Sequence, residues 1–180
     1  MTDVPEFHTD ACRQFVAHWR ALPRRGAMPH CNDFMDAAPV TLMPYAMLYE
    51  MHDEGFLLRF VGTRLVEQWR QDRTGTMMAF DRRPILGEQF KHKTALLLDT
   101  PCGLLHVGAM QSSFAREIAC ETVSLPLAVD HGRSPRIVRC CILLEPLQRD
   151  EAVAGFVDAT RRAWLDLGAG VPTETADLAP

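Results

Sequence analysis

The stretch from Tyr45 to Val61 constrains the fold more than any other part of the chain. Tyr45, Met47, Tyr49 and Met51 alternate with other residues and so share one face of an extended strand. His52-Asp-Glu-Gly55 then supplies a tight turn, with Gly55 able to take a positive φ, and Phe56 to Val61 returns as a second strand. In that second strand Leu58 and Phe60 are expected to face the core together, with Arg59 on the other side.

A helical zone follows the hairpin. Gly62-Thr63 breaks the strand, and Thr63 is positioned to cap a short helix through Leu65, Val66 and Trp69. Asp72-Arg-Thr-Gly75 closes it, Met77, Met78 and Phe80 fall in an irregular segment, and a second helix is expected from about Ile85 to Leu98. Three longer strands come next: Gly103 to Met110, Phe114 to Leu127 and Arg136 to Leu144. Strand, strand, helices, strand, strand, strand is the order of an α+β domain with an antiparallel sheet.

Two amphipathic segments bracket this unit. Ala11, Phe15, His18, Trp19 and Leu22 make one face of a helix from Thr9 to Leu22, ended by Pro23. Val153, Phe156, Val157, Thr160, Trp164 and Leu167 fall at steps of three or four and predict a terminal helix from Asp150 to Leu167. The expected organisation is a helix with a proline-rich lead-in over 1–38, the domain over 39–147, a C-terminal helix over 148–168 and a disordered tail over 169–180. Two helices outside the core must bury their stripes on something, so a homodimer or a docked protein partner is expected through these flanks.

Composition narrows the function classes. Lys and Arg number 19 against 23 Asp and Glu, a formal charge of −4, and the densest basic cluster is only Arg20 with Arg24-Arg25. That charge gives no argument for nucleic acid or an anionic membrane. The longest apolar runs, such as Cys140 to Leu144, are far below the ~18 residues of a membrane helix. Residues 1–7 lack the basic-then-apolar pattern of a secretory signal. The six cysteines include no C-x-x-C pair, and those in strands read as small buried apolar residues of a reducing cytoplasm. A cytoplasmic location is the expectation.

Phe60-Val-Gly-Thr63, Leu65-Val66 and Asp72-Arg-Thr-Gly75 stand in the order and spacing of a bacterial PAS subfamily of the alphaproteobacterial type, which the chain resembles over residues 12 to 146. Trp19, Leu22-Pro23-Arg24-Arg25, the loop to Pro44 and Leu125-Pro126-Leu127 fit the same pattern. The resemblance implies a five-stranded antiparallel sheet with short helices between its second and third strands. It also implies a sensing or interaction role without catalysis. The cofactor stays unknown, because PAS domains bind haem, flavin, small metabolites or nothing. Residues on elements around the implied pocket are the ligand-binding candidates: Tyr49, Leu58, Phe60, Trp69, Met77, Met78, Phe80 and Phe90, with His92 and His106. His92 is singled out because haem-binding PAS domains ligate iron from the corresponding helix, although Lys91 and Lys93 beside it suggest an exposed face.

No nucleophile elbow, phosphate-binding glycine loop or H-E-x-x-H segment occurs in the sequence. Cys140 or Cys141 near a histidine is the one nucleophile reading, against their place in an apolar strand. The alternative from another class is a small α+β-barrel enzyme. For that reading Arg116, Glu117, Glu121 and Arg139 would have to line the inner face.

Overall fold

The computed structural model describes residues 6–80 and 84–176. Helix α1 (Asp10–Ala21) starts where the Thr9 hydroxyl accepts from the Cys12 N–H, and it stops at an extended Leu22 before Pro23. A two-residue hairpin, β1 (Arg24–Arg25) and β2 (Met28–Pro29), leads to α2 (Cys31–Ala37) and a 3-10 turn at Met43–Tyr45. The main sheet begins with β3 (Ala46–His52) and β4 (Gly55–Val61). Then come α3 (Thr63–Trp69), β5 (Met77–Ala79) and α4 (Pro84–Asp99). Four further strands end the fold: β6 (Gly103–Ser112), β7 (Glu117–Leu127), β8 (Arg136–Leu143) and β9 (Val153–Leu165).

The fold is α+β, and every pairing in its seven-stranded main sheet is antiparallel, in the order β5-β4-β3-β8-β7-β6-β9. Five strands were expected; the two additions lie at the edges. β5 forms because Gly55, Phe56 and Leu57 offer an open edge to Ala79, Met78 and Met77 in the segment read as irregular. Gly55 has a different role from the one expected. Its φ is not positive; a Cβ there would meet the Met78 carbonyl oxygen at 2.4 Å, so β5 can cross only where the side chain is absent.

The other edge overturns the terminal helix. Residues 153–165 form a strand along β6, with Leu104 opposite Trp164, Leu105 opposite Ala163 and His106 opposite Arg162. The stripe at three- and four-residue steps was real, but the segment is equally rich in β-branched and aromatic residues. Such composition suits an edge, and an unpaired β6 supplied one. Three register shifts along the pairing let so long a strand follow the curl of the sheet. The tail also departs from expectation. Its end packs back on the fold: Glu174 and Thr175 bond to Lys93, and Ala176 is only 5% exposed.

Each sheet face has its own helical layer and apolar core. One face packs Phe15, Trp19, Phe34, Val123, Leu125 and Val138, bringing α1 onto β7 and β8, with α2 joining the same core through Phe34 against Phe15. Burying each large side chain contributes roughly 1.5–3 kcal/mol, and the Trp19 Nε1–H also donates to the Pro126 carbonyl at 2.7 Å. The Glu121 carboxylate, buried on this face, accepts from the His8 and Thr9 N–H groups at 2.7 and 2.8 Å and so pins the start of α1. The stripe of α1 is therefore covered by its own sheet. With that helix docked and the other replaced by a strand, the argument for self-association through two free helices loses its basis.

The opposite face carries α3 and α4 over Met47, Tyr49, Leu58, Cys120, Ile137 and Cys141. Leu58 and Phe60 do not share a face. A bulge between Leu48 and Tyr49 pairs Tyr49 with Leu58 but Leu48 with Phe60, leaving Arg59 as the extra residue. Leu58 thus packs under α4, whereas Phe60 joins the α1 side. Among the described residues no helix is long and apolar enough to cross a membrane.

Candidate functional site

Helix α4 lies over the sheet on the side it presents through Phe90, Lys93, Thr94 and Leu97, a set at i, i+3, i+4 and i+7. Between these residues and β6–β8 is a partly open cavity of about 20 Å³. Its sheet wall comprises Leu104, Ser124, Ile137 and Arg139. Alternation places Ile137, Arg139 and Cys141 of β8 on this wall, while Val138 and Cys140 turn toward α1.

Arg139 is the residue that sets the electrostatics. It is 7% exposed, its Nε donates to the Ser124 Oγ at 2.8 Å, and its guanidinium lies 5.2 Å from the Tyr49 ring and 5.4 Å from the Phe90 ring. Desolvating a guanidinium costs several kcal/mol. The charge-assisted hydrogen bond and two aromatic faces each return about 1–3 kcal/mol. Tyr49, Phe56 and Phe90 form the adjoining aromatic wall, with centroids 4.9 Å apart for Tyr49–Phe56 and for Phe56–Phe90. Burial pushes the Tyr49 phenol up to about 12 despite the opposing effect of Arg139, so it stays protonated and places its hydroxyl 2.8 Å from the Met47 Sδ.

Lys93 stands at the tail side of the cavity. It is 8% exposed, and its ammonium donates to the Glu174 Oε1 at 2.9 Å and to the Thr175 carbonyl at 2.7 Å. Lys93 and His92 together hold the Glu174 carboxyl below its ordinary range. The Trp164 Nε1–H donates to the Glu174 carbonyl at 2.8 Å. The tail therefore ties α4 to β9 across the mouth of the layer.

The structure divides the sequence candidates. Phe90 lines the cavity, and Tyr49 and Leu58 are buried beneath the same helical layer. Phe80 and Met78 pack farther out in that cluster, as does Trp69, whose ring is covered by Arg73 at 5.1 Å. Met77 is 40% exposed on the edge strand, and Phe60 is on the other face. His106 is half-buried on β6, opposite Thr122 of β7 and Arg162 of β9. His92 points away from the cavity. Its side chain is 56% exposed and its Nε2 is 2.7 Å from the Glu174 Oε2. A haem ligand there would need to face inward, and about 20 Å³ holds roughly one water; the residues present do not fit haem.

Ser124, Thr94 and Lys93 were not among the sequence candidates, and Arg139 entered only through the barrel-enzyme reading. A signal for Arg139 existed: one charge inside Ile137-Val-Arg-Cys-Cys-Ile142 is rare in a strand this apolar. Lys93 misled in the other direction, since a lysine beside an exposed histidine is itself buried against the tail.

Of the four charged residues tied to the barrel-enzyme reading, only Arg139 lines the cavity. Glu121 caps α1 from the opposite face, Glu117 is exposed, and Arg116 pairs with Glu151 at 3.0 Å and Glu145 at 3.2 Å beyond the strand end. All six cysteines are buried and free. Burial lifts the Cys120 thiol to about 11 and raises Cys141, while Cys140, beside Cys12, is raised as well. These groups are thiols rather than nucleophilic thiolates. Among the described residues no three His, Cys, Asp or Glu side chains are grouped to hold a metal ion. No protein-family model matches the chain, and no curated protein matches it.

Proposed function

We propose that the chain is a non-catalytic sensor module of the PAS type that binds a small molecule between its sheet and α4 and signals through protein contacts. The observation that carries this reading is the strand order. Numbering only β3, β4, β6, β7 and β8 as they occur along the chain, their order across the sheet is 2-1-5-4-3, with α3 and α4 inserted after the second. The cavity under α4 lies where such a module would hold its ligand, and the tail strap offers an output. A ligand that displaces α4 alters the Lys93–Glu174–Trp164 linkage and, through it, edge strand β9.

The test is native mass spectrometry and thermal unfolding of the full chain against a panel of small metabolites, beside Thr94→Trp, which fills the cavity. At least one compound is expected to bind one-to-one and raise Tm, with the gain lost in Thr94→Trp. A panel in which nothing binds, or binding that Thr94→Trp leaves intact, contradicts the reading.

A further inference from the structure

Beyond β9 the chain turns back and seats Glu174, Thr175 and Ala176 in the crease between α4 and that strand. The crease meets different parts of this segment with different chemistry. The His92 Nε2 and the Lys93 ammonium lie 2.7 and 2.9 Å from the two oxygens of the Glu174 carboxylate. Lys93 also donates to the Thr175 carbonyl at 2.7 Å, and the Trp164 Nε1–H donates to the Glu174 carbonyl at 2.8 Å. Ala176 is buried in the apolar cluster of the same face. One acidic side chain, two main-chain carbonyls and a small side chain two residues on are held together, as in a groove that takes an extended peptide.

The groove side is built into the fold. Lys93 stands on α4 with its ammonium 5.8 Å from the Trp164 ring centroid, and Trp164 is fixed on β9 opposite Leu104. The tail is the looser half. Between buried Leu167 and buried Ala176 it forms no helix or strand, and Gly168, Ala169, Val171, Thr173, Glu174 and Thr175 are exposed. The Glu174 side chain is 43% exposed, so water and salt screen its pairing. Exposed, irregular segments of this kind are drawn from the low-stability end of a fold and open locally.

We infer that the crease between α4 and β9 is a peptide-docking groove whose resident occupant is the chain's own Glu174-Thr-Ala176. Its partner is a protein segment with a glutamate followed two residues later by a small apolar side chain. The groove supplies the protein contact that the sensor reading requires; its role rests on that reading, its geometry on the tail alone. The tail acts as an internal competitor. A short tether holds it at an effective concentration on the order of millimolar, so a partner segment docks fully only once the tail is released.

The experiment is fluorescence anisotropy of a labelled, end-amidated peptide of residues 170–176, titrated with the full chain as wild type and as Glu174→Ala, which releases the resident tail. Glu174→Ala is expected to bind the peptide saturably and one-to-one, at least about tenfold tighter than wild type. Replacing the peptide's own glutamate by glutamine should cost at least about tenfold. Adding Lys93→Met to Glu174→Ala should cost as much. Adding Trp164→Phe instead, which keeps a ring and removes the N–H, should cost about threefold and keeps the test open if Lys93→Met fails to fold. No binding to Glu174→Ala, equal affinity in wild type and Glu174→Ala, indifference to the glutamine, or affinity unchanged by the groove substitutions would each overturn the inference. So would concentration-dependent dimerisation of Glu174→Ala that excess peptide does not reverse, which assigns the groove to a second copy. A metabolite that binds beneath α4 while the peptide fails to dock removes the groove alone and leaves the sensor reading standing.

Discussion

Tyr49 and Arg139 show how a polar pair can be held inside an apolar layer. The phenol gives up water and gains an aromatic neighbour, a thioether and a guanidinium 5.2 Å from its ring. Its ionisation is pushed from about 10 to about 12, so the folded protein binds that proton more tightly than the unfolded chain. The stability this represents is fully present below pH 10 and is lost as pH rises toward 12. Two pH units correspond to roughly 2–3 kcal/mol. Unfolding free energies of wild type and Tyr49→Phe, measured by denaturant titration from pH 8 to 12, should diverge across that window, with the wild type falling more steeply. Parallel curves would show that the phenol is not desolvated as described.

At the scale of elements, the strand β9 is the informative case. Its sequence carries a helical stripe, yet nothing in Val153 to Leu165 records that β6 would have an unfilled edge. That information is non-local. It resides in the length of β6 and in the position of the chain after β8, and tertiary demand overrides a weak local preference. The bulge at Arg59 was illegible for a related reason: the residues of β4 read as strict alternation, and only the pairing with β3 reveals the extra residue that breaks it. By contrast, α1, the β3–β4 hairpin, α4 and strands β6 to β8 were readable, because there the local pattern and the tertiary use agree. Amide hydrogen exchange separates the two descriptions of β9. Along 161–165, N–H groups directed to β6 should be protected and those directed outward should exchange quickly, a period of two. Continuous protection through this stretch, with helical carbon chemical shifts, would restore the helix.

The described residues build one curled main sheet clothed on both faces, and the two faces do different work. The α1 side is a closed apolar core, sealed at its upper end by the Glu121 carboxylate on the start of α1. The α4 side contains the buried guanidinium, the partly open cavity and the tail that returns across it. The layer architecture was implied by the order of elements, but the site was not. Arg139, Ser124 and Thr94 come from β8, β7 and α4 and meet only when those elements pack, while His92, the residue marked by its chemistry in the sequence, turns outward to Glu174. The central proposal is that a small molecule binds beneath α4. Amide chemical-shift mapping of the full chain, titrated with a compound from the metabolite panel that raises Tm, tests it most directly. The account predicts that the largest shifts fall at Thr94, Leu104, Ser124 and Arg139, with smaller ones at Glu174 and Thr175. Largest shifts on α1 or the β1–β2 hairpin, or a spectrum that such a compound leaves unchanged, would contradict it.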